Sequence, residues 1–122
     1  MKLVIPGTLP SLNEMINASK RNKYAYVAMK DQAINTVSWE FKCMMIGQQA
    51  PERADYEFVW YCPNRRKDKD NIMAGQKFVF DGLQKMGWIK NDGWKQIGKV
   101  SHRFEVDKQN PRIEITITEA IA

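Results

Sequence analysis

A long segment without proline places the strongest constraint on how this chain can fold. From about Lys23 to Gln48 no proline occurs, and apolar residues recur at helical spacing. Those apolar residues are Val27, Ile34, Val37, Phe41 and Met45. Gly47 and Pro51 then close the segment. The pattern predicts one long amphipathic helix.

Three later segments alternate between apolar and polar residues, which is typical of half-buried strands. They are Asp55 to Cys62, Val100 to Val106, and Ile113 to Thr118. Gln109, Asn110 and Pro111 separate the last two segments, so we expect these two strands to form a hairpin.

The remaining parts of the chain give a short strand, a loop and a second helix. Lys2 to Ile5 is a β-like run, and Thr8 to Ser19 has no clean period and is expected to be a loop. From Asp70 to about Met86 the spacing is helical, with Asp70 as the N-cap and Gly87 as the C′ residue. The order β-α-β-α-β-β predicts one α/β (α+β) domain over residues 1–122, with a mixed or mainly antiparallel sheet flanked by two helices.

Composition excludes several classes of protein. With 43% apolar and 27% charged residues, the chain is not disordered or collagenous. Only Cys43, Cys62 and His102 offer soft ligands, and they lack the spacing of a zinc site or a disulfide framework. No apolar run is long enough to span a bilayer, and the N-terminus does not resemble a signal peptide, so a cytoplasmic protein is expected. The net charge of +5 favours a polyanionic partner.

The densest polar segment lies where a strand is expected to give way to a helix. In an extended loop Asp68 and Asp70 point the same way and could both bind one hard cation, for which Mg²⁺ is suited. The flanking cations would attract a phosphate backbone. They are Arg65, Arg66, Lys67 and Lys69. The alternative is that Asp70 only caps the helix and the basic run is a solvated loop.

Five short segments occur in order along almost the whole chain. They are Leu9-Pro10-Ser11-Leu12-Asn13, Arg66-Lys67-Asp68-Lys69-Asp70-Asn71, Lys77 with Phe80-Asp81-Gly82-Leu83, Asn91-Asp92-Gly93-Trp94, and Ile113-Glu114-Ile115-Thr116-Ile117-Thr118-Glu119. As a set they resemble the RusA-type Holliday junction resolvases, particularly the phage-like and Gram-positive-like branch.

The resemblance implies a homodimeric endonuclease that acts on branched DNA with Mg²⁺, or with Mn²⁺ in its place. It also implies an active site of three aspartates and a lysine, here Asp68, Asp70, Asp92 and Lys77. In one form of the family pattern the lysine lies a single turn beyond the second aspartate, where this chain has Ala74. Lys77 comes seven residues after Asp70, which is nearly two helical turns, so it is still expected to share a helix face with Asp70, about 10 Å along the axis.

Asp92 is separated from the other two aspartates by the predicted second helix. A helix of about sixteen residues would carry the chain roughly 24 Å from Asp70. The segment from Gly87 to Asp92 spans at most about 20 Å when fully extended. Asp92 therefore reaches the pair only if the helix is shorter or the chain doubles back; otherwise it belongs to the other subunit's site. The alternative is that Asn91-Asp92-Gly93 is simply a turn.

Several other residues have both a functional and a structural interpretation. Asn13, Lys20 and Arg21 could contact phosphates or could be solvated. Trp88 and Trp94 flank Asp92 and could stack on unpaired bases, or they could pack in the core. A lone His102 on an apolar strand face is expected to be a packed side chain, and Asp81 is expected to orient Lys77 at i, i+4.

The sequence thus predicts a magnesium-dependent endodeoxyribonuclease, bacterial or phage-encoded, that resolves four-way (Holliday) junctions in DNA recombination and repair. Two alternatives remain open. One is a non-catalytic basic DNA-binding module in which the carboxylates act only as caps. The other is a nuclease for flaps or other branched DNA.

Overall fold

A computed structural model describes residues 1–121 and shows a single small α+β domain, which confirms the predicted fold class. The elements in chain order are β1 (Lys2–Pro6), α1 (Leu12–Arg21), α2 (Lys23–Met44), β2 (Ala54–Cys62), α3 (Lys69–Met73), α4 (Gln76–Lys85), β3 (Ile97–Val106) and β4 (Arg112–Glu119). Between residues 1 and 121, no helix is long and apolar enough to cross a membrane.

The four strands form one mixed sheet in the order β1-β4-β2-β3. β4 runs antiparallel to both β1 and β2, whereas β3 runs parallel to β2. The predicted hairpin between β3 and β4 is therefore wrong, because β2 lies between them. The turn after β3 instead crosses the end of β2, where the Asp107 amide donates to the Cys62 carbonyl at 2.8 Å.

The helices cover one face of the sheet, and the core lies between the two layers. The buried sheet residues are Leu3, Ile5, Tyr56, Phe58, Trp60, Ile113, Ile115 and Ile117. They pack against the buried helix residues Val37, Phe41, Val79, Phe80 and Leu83. On β2 the buried side chains alternate as the sequence predicts. A Cβ on Gly82 would lie 2.6 Å from Val37 Cγ1, so α4 packs against α2 at close range.

The helices differ from the prediction at two places. The segment expected to be a loop contains α1, because Ser11 and Glu14 form a capping box that starts a helix. The predicted second helix is divided into α3 and α4, and a Cβ on Gly75 at the break would lie 3.3 Å from the Trp60 ring. The structure therefore has four helices among the described residues instead of two.

Two predictions about the helices are confirmed. The long helix α2 begins at Lys23, as predicted, and Asn22 caps this end: its Oδ1 accepts the Ala25 amide at 2.8 Å. The helix ends at Met44, near the predicted boundary. Gly87 follows α4 with φ of +75°, and the Trp88 amide donates to the Leu83 carbonyl at 3.0 Å. This is the Schellman arrangement expected of a C′ glycine.

His102 packs within the sheet, as expected for a lone histidine on an apolar face. Its Nδ1 accepts a hydrogen bond from Trp60 Nε1 at 2.9 Å, and its ring stacks on Phe58 at 4.9 Å. Burial lowers the pKa of the imidazole, which favours the neutral form that can accept this bond.

Candidate active site

The first helix and the basic loop after β2 are joined by two direct contacts. The Asn13 amide donates to Asn71 Oδ1 at 2.9 Å, and Lys67 Nζ donates to Glu14 Oε1 at 2.6 Å. The hydrogen bond from Lys67 is the main cause that lowers the pKa of Glu14, which favours the ionised carboxylate. These contacts hold the segment that carries Asp68 and Asp70 against the start of α1.

Asp68 and Asp70 both lie exposed at the start of α3. Asp68, rather than Asp70, occupies the N-cap position, and its carboxylate makes no capping hydrogen bond. Asp70 lies in the first turn, where its Oδ1 accepts the amide of Asn71 at 3.0 Å. The predicted N-cap is therefore wrong, because Asp68 precedes the helix and Asp70 lies within its first turn. Both carboxylates keep oxygen atoms accessible to a ligand, as a hard cation requires.

Asp68 lines an open cleft of about 470 Å³ at the carboxyl ends of β2 and β3. The other lining residues are Cys62, Asn64, Arg65, Lys67, Lys69, Ile72, Phe104, Glu105 and Val106. Arg66 lines a neighbouring cavity of about 260 Å³ beside Trp60, Tyr61 and Arg112. Three of the four predicted cations of the loop, Arg65, Lys67 and Lys69, thus share the cleft with Asp68 at this end of the sheet.

Asp92 lies at the opposite end of the sheet. Its neighbour Gly93 accepts the amide of Ile97, the first residue of β3, at 3.0 Å. The next residue, Trp94, accepts through its carbonyl from Arg53, which directly precedes β2, at 3.3 Å. Asp68 follows the other end of β2, and nine residues of strand span about 26 Å. One subunit therefore does not bring Asp92 to Asp68 and Asp70.

Within the described part of the chain, no group of three or more histidine, cysteine, aspartate or glutamate side chains could hold a metal ion. Asn91 Oδ1 accepts the Gly93 amide at 2.9 Å, so Asn91-Asp92-Gly93 does form a turn. The Asp92 carboxylate nevertheless stays exposed on that turn.

Lys77 lies in the first turn of α4, beyond the break that separates α4 from α3. The predicted continuous helix from Asp70 to Met86 is wrong, because a turn at Ala74 and Gly75 separates α3 from α4, although both residues keep right-handed helical φ and ψ. Lys77 Nζ lies 3.8 Å from Asp81 Oδ2, which confirms that Asp81 orients the lysine. Both residues line an open cleft between α2 and α4, together with Asn35 and Lys85.

The other candidate residues are dispersed. Lys20 and Arg21 lie in the last turn of α1, about 11 Å along the axis from Asn13. Trp88 is buried and packs edge-on against Phe41 at 5.1 Å, so it belongs to the core. Trp94 is 93% exposed beside Asp92 and remains available for stacking.

Sequence reasoning missed two residues that position the site, Glu14 and Asn71. A signal for Glu14 was present, since serine followed three residues later by glutamate is the capping-box pattern. Asn71 had no local signal for its role, because its partner Asn13 is 58 positions away in the sequence.

Comparison with known proteins gives one family. The family model described as "Endodeoxyribonuclease RusA" matches residues 10–118, nearly the whole chain. That range includes Asp68, Asp70, Lys77 and Asp92. A comparison with curated proteins found no significant match.

Proposed function

Because the chain belongs to the RusA endodeoxyribonuclease family, we propose that it is a magnesium-dependent nuclease that resolves four-way DNA junctions. The observation that carries this proposal is the pair of exposed carboxylates at the start of α3, Asp68 and Asp70. Arg65, Lys67 and Lys69 line one cleft with Asp68. Two bare carboxylates would repel a phosphate backbone, whereas a bound divalent cation and flanking lysines would attract it.

The donor set at Asp68 and Asp70 fits Mg²⁺. This ion prefers carboxylate oxygens and retains several waters, so one or two exposed aspartates are a suitable protein contribution. When bound, Mg²⁺ lowers the pKa of a water and polarises the scissile phosphate. Mn²⁺ prefers the same kind of ligand. Arg65, Lys67 and Lys69 would hold the DNA backbone beside the carboxylates.

We assign the third aspartate of each site to a second subunit. Asp92 lies about 26 Å along β2 from the loop that carries Asp68 and Asp70. A two-fold dimer can place the Asp92 end of one copy beside the Asp68 end of the other, and it then forms two equivalent sites. A four-way junction requires two such cuts, so a homodimer with two sites suits this substrate.

DNA contacts would extend beyond the loop. Lys20 and Arg21 offer charge at the far end of α1, and Asn13 holds the loop through Asn71. Trp94 is free to stack on an unpaired base at the branch point. We place the protein in the cytoplasm, with a role in recombination and repair of bacterial or phage DNA.

Lys77 is proposed to neutralise negative charge on the scissile phosphate as the transition state forms. We expect Lys77→Ala to lower the single-turnover cleavage rate by about tenfold, equivalent to about 1.4 kcal/mol of transition-state stabilisation. Lys77→Arg should keep part of the rate, because it keeps the charge. The matched control is Lys85→Ala, which removes a lysine from the same cleft two turns further along α4. Equal rates for Lys77→Ala and the parent would show that Lys77 is only a surface charge.

The test of substrate class compares three labelled DNAs that share one sequence: a four-way junction, a flap and a linear duplex. We expect paired cuts on opposite strands of the junction and an intact duplex. Faster cleavage of the flap would favour a nuclease for other branched DNA. Tight binding of all three DNAs without cleavage in Mg²⁺ would favour the non-catalytic DNA-binding module.

A further inference from the structure

A cavity of about 260 Å³ lies beside the Asp68 cleft, and the proposed metal chemistry leaves it without a role. It opens between the loop after β1, which contributes Thr8 and Leu9, and the loop after β2, which contributes Asn64 and Arg66. Pockets for drug-sized ligands typically measure about 300–1,000 Å³. This cavity therefore has room for a single ring system rather than for a longer ligand.

Apolar side chains form most of the wall of this cavity. They are Leu9, Trp60, Ile72 and Ile113. The Trp60 ring is held on two sides, because its Nε1 donates to His102 Nδ1 at 2.9 Å and its edge lies 3.3 Å from where a Cβ on Gly75 would be. The wall is therefore in place before a ligand binds, which lowers the entropic cost of binding.

Basic side chains lie around this apolar wall. Arg112 is already paired, since its guanidinium donates to Asp107 Oδ2 at 2.9 Å, and Lys67 donates to Glu14. Arg66 is exposed, and its guanidinium forms no salt bridge with any residue that the structure describes. Arg66 is therefore the cation at this cavity whose hydrogen-bond donors are available to a ligand.

The cavity and the Asp68 cleft share one side. Cys62, Asn64, Lys67 and Ile72 line both of them. A DNA strand with a phosphate at Asp68 would therefore carry a neighbouring nucleotide past the mouth of the cavity. A base inside a duplex is stacked and paired, whereas an unpaired base leaves the stack at lower cost.

We propose that this cavity binds one unpaired base of the cut strand, from a nucleotide next to the scissile phosphate. This inference rests on the proposed function and deepens it, because it names a site for one nucleotide at the branch point. Pockets for an extruded base combine apolar contact with hydrogen bonds to the edge of the base. Here Trp60 and its apolar neighbours supply the contact, and Arg66 donates to acceptor atoms on the base edge.

The test uses four-way junctions in which one nucleotide beside the parent's cut, on either side of it, is replaced by an abasic nucleotide. In single-turnover assays the parent should cleave one of these two abasic junctions about tenfold more slowly than the unmodified junction. Arg66→Ala should slow cleavage of the unmodified junction. The abasic nucleotide should then slow this variant by less than about twofold, because the base and Arg66 act together.

The matched control is Arg65→Ala. Arg65 lines the Asp68 cleft but does not line the cavity, so this change removes the same charge from the same loop. Cleavage by Arg65→Ala should slow equally for the unmodified and abasic junctions, because phosphate attraction does not depend on the base. The ratio of the two rates should therefore stay that of the parent.

Two results would overturn the base pocket. One is a parent that cleaves both abasic junctions as fast as the unmodified junction, and the other is an Arg66→Ala variant that keeps the parent's ratio of rates. In both cases the parent still cleaves the unmodified junction, so a failure of the pocket is distinct from a failure of the proposed nuclease. A parent that cleaves none of these junctions would overturn both.

Discussion

Asp70→Asn is expected to abolish junction cleavage while junction binding is kept or strengthened. The change removes a proposed metal ligand, and metal stabilisation of the transition state contributes several kcal/mol, so the cleavage rate should fall by roughly 10³-fold. It also removes a negative charge two residues from Asp68, whose cleft contains Arg65, Lys67 and Lys69, so affinity for the phosphate backbone should not fall. Asp70 is exposed at the start of α3, and the fold should tolerate the amide.

Cleavage and gel-shift assays on the same labelled junction measure both parts of this prediction. Glu40→Gln, on α2 away from the loop, makes a matched carboxylate-to-amide change and should keep full activity. Full cleavage by Asp70→Asn would show that Asp70 is not part of the active site. Loss of binding together with cleavage would instead indicate that the change had disturbed the loop.

Mixing Asp70→Asn with Asp92→Asn is expected to restore cleavage that neither variant has alone. If Asp92 acts across a dimer interface, the mixed dimer holds one site with three intact aspartates and one site with two defects. Random exchange of equal amounts makes about half of the dimers mixed, so about a quarter of the parent's sites should return. With one working site per dimer, the product should be mostly a junction nicked in one strand.

The matched control mixes Asp70→Asn with Asp68→Asn. These two residues lie two positions apart at the start of α3 in the same subunit, so every site in the mixed dimer keeps a defect and no cleavage should return. If Asp70→Asn and Asp92→Asn also fail to complement after complete subunit exchange, each site lies within one subunit. That result would contradict the assignment of Asp92 to the second copy.

Local patterns predicted the elements that depend on local forces. The alternation on β2 and the helical period of α2 arise because each element buries one face. Gly87 ends a helix because its positive φ is a backbone conformation that favours glycine. The start of α1 depends on two side chains that cap each other, and it carries no long apolar period. At the break before α4, Gly75 lies close to Leu9 and Trp60, which are distant in sequence and leave little room for a side chain.

Strand order could not be predicted from neighbouring residues alone. Consecutive strands often pair, so a hairpin of β3 and β4 was the natural expectation. The chain instead crosses about 10 Å over the end of β2, from one neighbour of β2 to the other. Because β3 runs parallel to β2, the start of β3 and the nearby Asp92 lie at the opposite end of the sheet from Asp68. The spacing of Asp68 and Asp70 predicted two nearby carboxylates in an extended loop, whereas Asp70 lies in the first turn of α3.

The most direct measurement of the central claim is cleavage of a labelled four-way junction by the parent protein in Mg²⁺, in EDTA, and in EDTA followed by excess Mg²⁺. We expect symmetric cuts on two opposite strands in Mg²⁺, none in EDTA, and full recovery when the metal is restored. Equal cleavage in EDTA would contradict the metal-dependent mechanism. Binding without cleavage in all three conditions would show a DNA-binding module and contradict the proposed nuclease.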